Sequence, residues 1–189
     1  MTKKRLVIMT VGKTHSGKTT FAHELEQKLE NAIVMDQDNQ AEFIHRHYKK
    51  LLPKHGPNTL KPALTRLIVD YAIEETDLHL IVCNSNRSKI GRRNLLEGPF
   101  NKDKFVRILV HFDIPDDILM ERVAKSERST NILRVASNFK EVLLRQQADP
   151  ISEGIVDPVE GEADYLFVVK DNEETEAVID EIVRMADSL

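Results

Sequence analysis

The sequence predicts an α/β fold, a five-stranded and mainly parallel sheet with helices on both faces. Two features carry that expectation. Five short apolar runs alternate with amphipathic stretches along the 189 residues, and each run is continuous in the way of strands buried on both faces. No internal repeat or low-complexity linker breaks the order, and 41% hydrophobic residues suffice for a sizeable core, so residues 1–189 are expected to form one domain.

Taken in order, residues 6–11 (LVIMTV) form the first strand, and residues 20–30 form a helix with Phe21, Leu25 and Leu29 at four-residue spacing. Residues 32–35 make the second strand. A polar amphipathic helix follows from Asp38 to about Leu52, broken by Pro53, Gly56 and Pro57. Leu60, Leu64, Leu67, Ile68, Tyr71 and Ala72 recur at spacings of three and four, which places one apolar stripe on a core. Residues 78–83 are the third strand, and residues 88–97 a helix ended by Gly98-Pro99. Residues 105–112 are the fourth strand. Pro115 opens the next helix, with Asp113 as its cap and Ile118, Leu119 and Val123 facing inward. A polar segment at 126–138 is expected to be a lid and leads to a helix over residues 139–148. Residues 165–169 are the fifth strand, and the closing helix buries Val178, Ile179, Ile182, Val183 and Ala186.

Between the first strand and helix stands Gly12-Lys13-Thr14-His15-Ser16-Gly17-Lys18-Thr19. It fits the pattern G-x-x-x-x-G-K-[ST], in which backbone N–H groups and a helix N-terminus converge on phosphate. Lys18 reaches the β- and γ-phosphates of a nucleotide, and the Thr19 hydroxyl ligates Mg²⁺. Gly12 and Gly17 supply dihedrals or close approaches that a side chain would obstruct.

In a parallel sheet the chemistry collects outside the carboxyl ends of the strands. The second strand ends in Asp36-Gln37-Asp38. An extended backbone there points both carboxylates the same way, so that Asp38 serves as base for an attacking hydroxyl and Asp36 holds water on the metal. Capping of the following helix by Asp38 is compatible with that role. The third strand ends in Cys83-Asn84-Ser85-Asn86-Arg87, without a carboxylate, and its amides and hydroxyl suit hydrogen bonds to substrate or metal-bound water. Arg122, Lys125, Arg128, Arg134, Lys140 and Arg145 form a cationic cluster; Arg128 and Arg134 flank the polar stretch, where a guanidinium stabilises a transferring phosphoryl group. A second cluster, Arg46, Lys49, Lys50 and Lys54 with His45, His47 and His55, either attracts an anionic substrate or is a solvated helix face. His45 and His47 point to different sides of a helix and make a poor metal pair.

Composition narrows the partners. A net charge of −4 and a pI near 6.0 argue against a broad basic face for duplex nucleic acid, so a nucleic-acid partner is not favoured. One cysteine excludes an intrachain disulfide, and Cys83 in an apolar run reads as a buried strand residue. The basic N-terminus precedes only about six apolar residues, so no export signal or membrane span is expected and a cytoplasmic location is.

With the phosphate loop, Asp36-x-Asp38, Cys83-Asn84-Ser85-Asn86 followed by Arg92-Arg93, and Phe112-Asp113-Ile114-Pro115 opening a helix, nearly the whole chain resembles the P-loop kinases. It is most similar to their polynucleotide 5′-kinase, zeta-type toxin and antibiotic phosphotransferase branch. The resemblance implies a three-layer P-loop nucleotide-hydrolase fold with ATP and Mg²⁺ as cofactors. It implies nucleotide contacts from Gly12, Lys13, Thr14, His15, Ser16, Gly17, Lys18, Thr19, Thr20 and Arg122, metal contacts from Thr19 and Asp36, and substrate contacts from Asp36, Asn86 and Arg93. Lys18, Asp38 and Arg128 would be catalytic. Cys83 stands where that branch usually has Asp, while Ser85 and Asn86 keep its Thr-Asn character. The branch's lid arginine falls near Ser126, two residues before Arg128, and the arginine that polynucleotide kinases place shortly after the base is absent from Asp38-Asn39-Gln40. The segment from Asp149-Pro150 to Glu153-Gly154 resembles the loop that approaches adenine.

The expected activity is transfer of the γ-phosphoryl group of ATP to a hydroxyl of an unidentified small molecule or nucleotide, by a monomer or homodimer. A nucleotide-dependent switch without an acceptor and a polynucleotide 5′-hydroxyl kinase are the alternatives. Lys18→Ala is expected to abolish ATP-dependent turnover with the fold intact; full turnover in a steady-state ADP-release assay would sink the assignment.

Overall fold

The computed structural model describes residues 4–56, 58–133, 136–149, 154–171 and 173–189. Pro57, Arg134 and residues 150–153 of the late loop, named above, lie outside them. Five strands, β1 (Arg5–Gly12), β2 (Ala32–Asp36), β3 (His79–Cys83), β4 (Phe105–Phe112) and β5 (Tyr165–Val169), pair entirely in parallel in the order β2-β3-β1-β4-β5. The helices among the described residues are α1 (Lys18–Lys28), α2 (Gln37–His47), α3 (Leu60–Glu75), α4 (Lys89–Glu97), α5 (Asp116–Ala124), α6 (Phe139–Ala148) and α7 (Glu173–Asp187), with a 3₁₀ turn at Lys49–Leu51.

Continuous apolar strands have a direct consequence here. In central β1, Leu6 and Ile8 enter a core shared with α1, α5, α6 and α7, while Val7, Met9 and Val11 enter a second core with α3 and α4. The sheet is thus sandwiched in three layers, with each successive residue of β1 committed to the opposite face. Each fully buried Leu, Ile or Val contributes about 1.5–3 kcal/mol relative to exposure. The register aligns Asp36 with Cys83 and Gly12 with Phe112, so the carboxyl ends of four strands form one rim.

Several sequence expectations are corrected. The backbone does not stay extended through Asp36-Gln37-Asp38: α2 begins at Gln37, and its cap is Asp36, whose carboxylate accepts from the Asp38 N–H at 2.8 Å. The helix expected to run to about Leu52 ends at His47, and the chain continues as the 3₁₀ turn. The apolar stripe of α3 splits in two. Ile68 and Ala72 pack on the core with Val69 and Ile73, whereas Leu67 (66% exposed) and Tyr71 (64%) lie on the opposite side. Pro115, not Asp113, occupies the N-cap of α5 and makes no side-chain cap bond, and Ile118 is exposed.

One buried ion pair ties the rim to the far end of the chain. The Arg92 guanidinium, without solvent exposure, donates to both Glu162 oxygens at 2.9 and 3.1 Å and to the carbonyls of Asn86, Arg87 and Val156. Residues just before that arginine meet residues 154–156: Lys89 N–H donates to the Gly154 carbonyl and Val156 N–H to that of Arg87. Removing the carboxylate leaves a buried cation uncompensated, so Glu162→Ala is expected to lower unfolding free energy by about 3 kcal/mol in urea denaturation. A change of less than about 0.5 kcal/mol, as surface substitutions give, would refute the structural role of the pair.

Candidate active site

A cleft of about 1240 Å³ opens at the carboxyl rim, walled by the Thr14–Thr20 turn, the ends of β2 and β3, and residues of α5 and α6. Its floor depends on two glycines. Gly12 has φ +152°, and a Cβ there would sit 2.9 Å from the Phe112 carbonyl oxygen and 3.0 Å from Ser16 Oγ. Gly17, the N-cap of α1, has φ +100°. His15 at the loop tip is left-handed as well, at φ +60°. The Arg122 guanidinium donates to its carbonyl at 3.2 Å, and its ring stands edge-on to Phe139 with centroids 5.0 Å apart. Burial, and then the charges of Arg128, Lys18 and Arg122, lower the His15 pKa, which favours the neutral ring.

Lys18 extends back under the loop, donating to the Lys13 carbonyl at 2.5 Å and to Ser16 Oγ at 3.1 Å. Burial lowers its pKa from 10.5 to about 8. Thr14 N–H donates to Gln146 Oε1 of α6 at 2.7 Å. Thr19 and Thr20 line the cleft, while Lys13 turns away to an ion pair with Asp116 at 2.5 Å.

The rim brings the predicted acids to this loop. Asp36 is nearly buried, and burial raises its pKa, with the Asp38 charge adding to the rise and the hydrogen bond from Asp38 N–H opposing it. Asp38 lies one step outward. Its Oδ2 accepts from Arg128 Nη2 at 2.6 Å, and its Oδ1 faces Lys61 Nζ at 3.8 Å. The Arg128 guanidinium also lies 5.1 Å over the Phe139 ring, so Phe139 joins His15, met edge-on, to Arg128. Cys83 points its Sγ at Thr19 Oγ1, 3.7 Å away. Burial, and then the neighbouring Asp36, push its thiol up to about 11. It is therefore a neutral group where a carboxylate would be charged.

Not every predicted residue joins the site. Arg93 is exposed on α4 and does not line the cleft; its neighbour Arg92 does, but is committed to Glu162. Asn86 lines the cleft at φ +44°, yet its amide donates to the Thr10 carbonyl at 2.9 Å and braces the strand ends. Several lining residues were not foreseen. Arg87 is bound to Asp149 at 2.6 Å and to the Gln146 carbonyl at 2.8 Å, and Lys61 comes from α3. Gln146 and Phe139 belong to α6, and no local sequence pattern announces contacts to a loop more than a hundred residues away. Lys61 is the cation in the first turn of α3, a helix whose sequence pattern points only to its apolar positions. The exposed cations and histidines of 45–55 are absent from the lining.

The donors present fit magnesium. The Thr19 hydroxyl and the Asp36 carboxylate are hard oxygen groups, and among the described residues no three His, Cys, Asp or Glu side chains gather into a metal cage. That is the pattern for an ion that keeps most of its waters and is held chiefly through substrate phosphates. No helix among the described residues is long and apolar enough to cross a membrane.

The lowered Lys18 pKa sets two pH responses of opposite sign. Phosphate binding favours the ammonium, so nucleotide affinity is expected to fall above pH 8, by up to about tenfold per unit. Without nucleotide, the folded protein holds fewer protons than the unfolded chain between about 8 and 10.5, so stability rises with pH across that window. Calorimetric titration and thermal melts from pH 7 to 10 measure both, and Lys18→Met is expected to flatten each; unchanged slopes in that variant would contradict the assignment.

The AAA domain family matches residues 7–150 of this chain. A search of curated proteins finds no match. Among solved structures, a putative kinase from Chloroflexus aurantiacus superposes with a TM-score of 0.66 at 16% identity, covering 100% of this chain and 99% of that one. A sugar kinase from a Janibacter species gives 0.59 at 18% identity, over 98% and 95% of the two chains. A Chaetomium thermophilum protein in complex with ADP-AlF3 gives 0.59 at 17% identity, over 95% and 98%. At these identities the likeness is one of fold, and that fold is the P-loop kinase fold. With three quarters of its length matched by the family, the chain belongs to the AAA domain family.

Proposed function

We propose that the protein is an ATP-dependent kinase that transfers the γ-phosphoryl group to a hydroxyl of a small molecule or nucleotide. One observation carries this reading: in the cleft beside the phosphate loop, a carboxylate, Asp38, is paired with a cation, Arg128. A nucleotide-binding loop alone serves switches and motors equally. A carboxylate within the same cleft supplies what transfer to a hydroxyl requires.

In this reading the 12–19 loop and the α1 N-terminus cradle the phosphates, and Lys18 neutralises charge on the β- and γ-groups. Thr19 and Asp36 would hold Mg²⁺, which when bound draws charge from the phosphate oxygens. Asp38 accepts the proton of the acceptor hydroxyl as its oxygen bonds to the γ-phosphorus and the bond to the β-phosphate oxygen breaks, releasing ADP. Arg128 exchanges Asp38 for the transferring phosphoryl oxygens, which both frees the base and stabilises the developing charge. The segment from Ser126 that carries Arg128 acts as the lid, and Arg122, which lines the same cleft, holds the loop tip through the His15 carbonyl.

Screening ATP consumption against sugars, hydroxy acids, nucleosides, oligonucleotides and aminoglycosides tests the activity, and acceptor-independent hydrolysis alone would favour a switch. Asp38→Asn is expected to keep ATP binding while transfer falls by about 10²–10⁴-fold. Comparable single-turnover rates in the two proteins would remove Asp38 from the base role.

A further inference from the structure

The acceptor side of the cleft carries a cation that the proposed transfer does not use. Lys61 stands in the first turn of α3, where a positive side chain opposes the helix dipole rather than supporting it. It lines the cleft with its side chain 28% exposed. Its ammonium lies 3.8 Å from Asp38 Oδ1, beyond hydrogen-bonding distance, and donates no hydrogen bond to a described residue. Three N–H donors therefore remain unspent beside the group assigned as base. The surrounding sequence shares the sign: residues 43–69 contain Arg46, Lys49, Lys50, Lys54, Lys61 and Arg66 and no Asp or Glu, in a chain of net charge −4.

Other charges near Asp38 are accounted for. Arg128 and Lys18 belong to the phosphoryl side, Asp36 caps α2, and Glu24 lies across the cleft on α1. Of the two cations that the described residues bring to the Asp38 carboxylate, Lys61 is the one without a role in the transfer. A neutral polyol offers its ammonium no charge beyond that of Asp38, and a cationic acceptor is repelled by it.

Resting on the kinase reading, we infer that the acceptor is an anionic hydroxyl compound whose phosphate or carboxylate is held by the Lys61 ammonium. Lys61 is then a specificity-determining residue, and the distance from its ammonium to Asp38 requires acceptor charge and hydroxyl to be close neighbours on the substrate.

The test reads binding, so it needs no identified acceptor. The full-length protein saturated with AMP-PNP and Mg²⁺ is titrated with glycerol phosphate, glycerate and glycerol while amide NMR signals are followed. Glycerol phosphate, glycerate or both are expected to shift signals of residues 37–40 and 60–64, and glycerol to shift neither. Comparison of the two anions tells a phosphate site from a carboxylate site. Lys61→Met is expected to weaken anion binding about tenfold, and Lys61→Arg to restore it. Equal anion affinity in Lys61→Met, or no response of the wild-type protein to either anion, overturns the inference and leaves the kinase reading standing. Failure of AMP-PNP to bind overturns the kinase reading, and this inference with it.

Discussion

Gly12 can lie against the Phe112 carbonyl only because it has no Cβ, and the geometry of the cleft follows from that contact. The two residues are register partners at the ends of adjacent parallel strands. With nothing between them, the chain turns sharply enough to bring Ser16 and Lys18 back beneath the loop. The helix that follows then starts under the cleft floor, with Gly17 in a left-handed conformation open to glycine at little steric cost. A side chain at position 12 would move the loop and, with it, the amides and the ammonium that face an incoming anion.

Around that turn the charges are sorted by depth. Lys18 is buried enough to make its own charge costly, burial raises the Asp36 pKa, and Asp38 sits further outward in an ion pair with Arg128. Cys83 keeps the third strand end neutral. One carboxylate fewer at the rim means less repulsion of polyphosphate and weaker intrinsic hold on a divalent ion, so the metal would arrive with the nucleotide rather than ahead of it.

The sheet was legible because its central strands are buried on both faces and its strands read as unbroken apolar runs; the strands at 105–112 and 165–169 come out at their observed bounds, as does the helix at 139–148. Periodicity misled on α3, where spacings of three and four fit two stripes, and only packing decides that Ile68 and Ala72 go inward while Leu67 and Tyr71 do not. The phosphate loop is local and was readable residue by residue. The duties of Asp36 and Asp38 were not, because which of them caps depends on where the strand stops, and burial up to Asp36 sets that point. Pairing choices between distant elements were out of reach: Arg92 rather than Arg93 turns inward because Glu162, seventy residues later, lies beneath it.

Two groups of the phosphate loop have partners within the protein. Thr14 N–H is engaged by Gln146, and the Lys18 ammonium by the Lys13 carbonyl and Ser16 hydroxyl. A nucleotide entering such a cradle exchanges hydrogen bonds more than it adds them, so neutral gains nearly cancel and the difference left over is one of charge. Because Gln146 belongs to α6, whose first residue Phe139 underlies Arg128, the exchange at the loop is felt by the helix that supports the cleft mouth. One helix thus holds both the phosphate loop, through Gln146, and the cleft mouth, through Phe139.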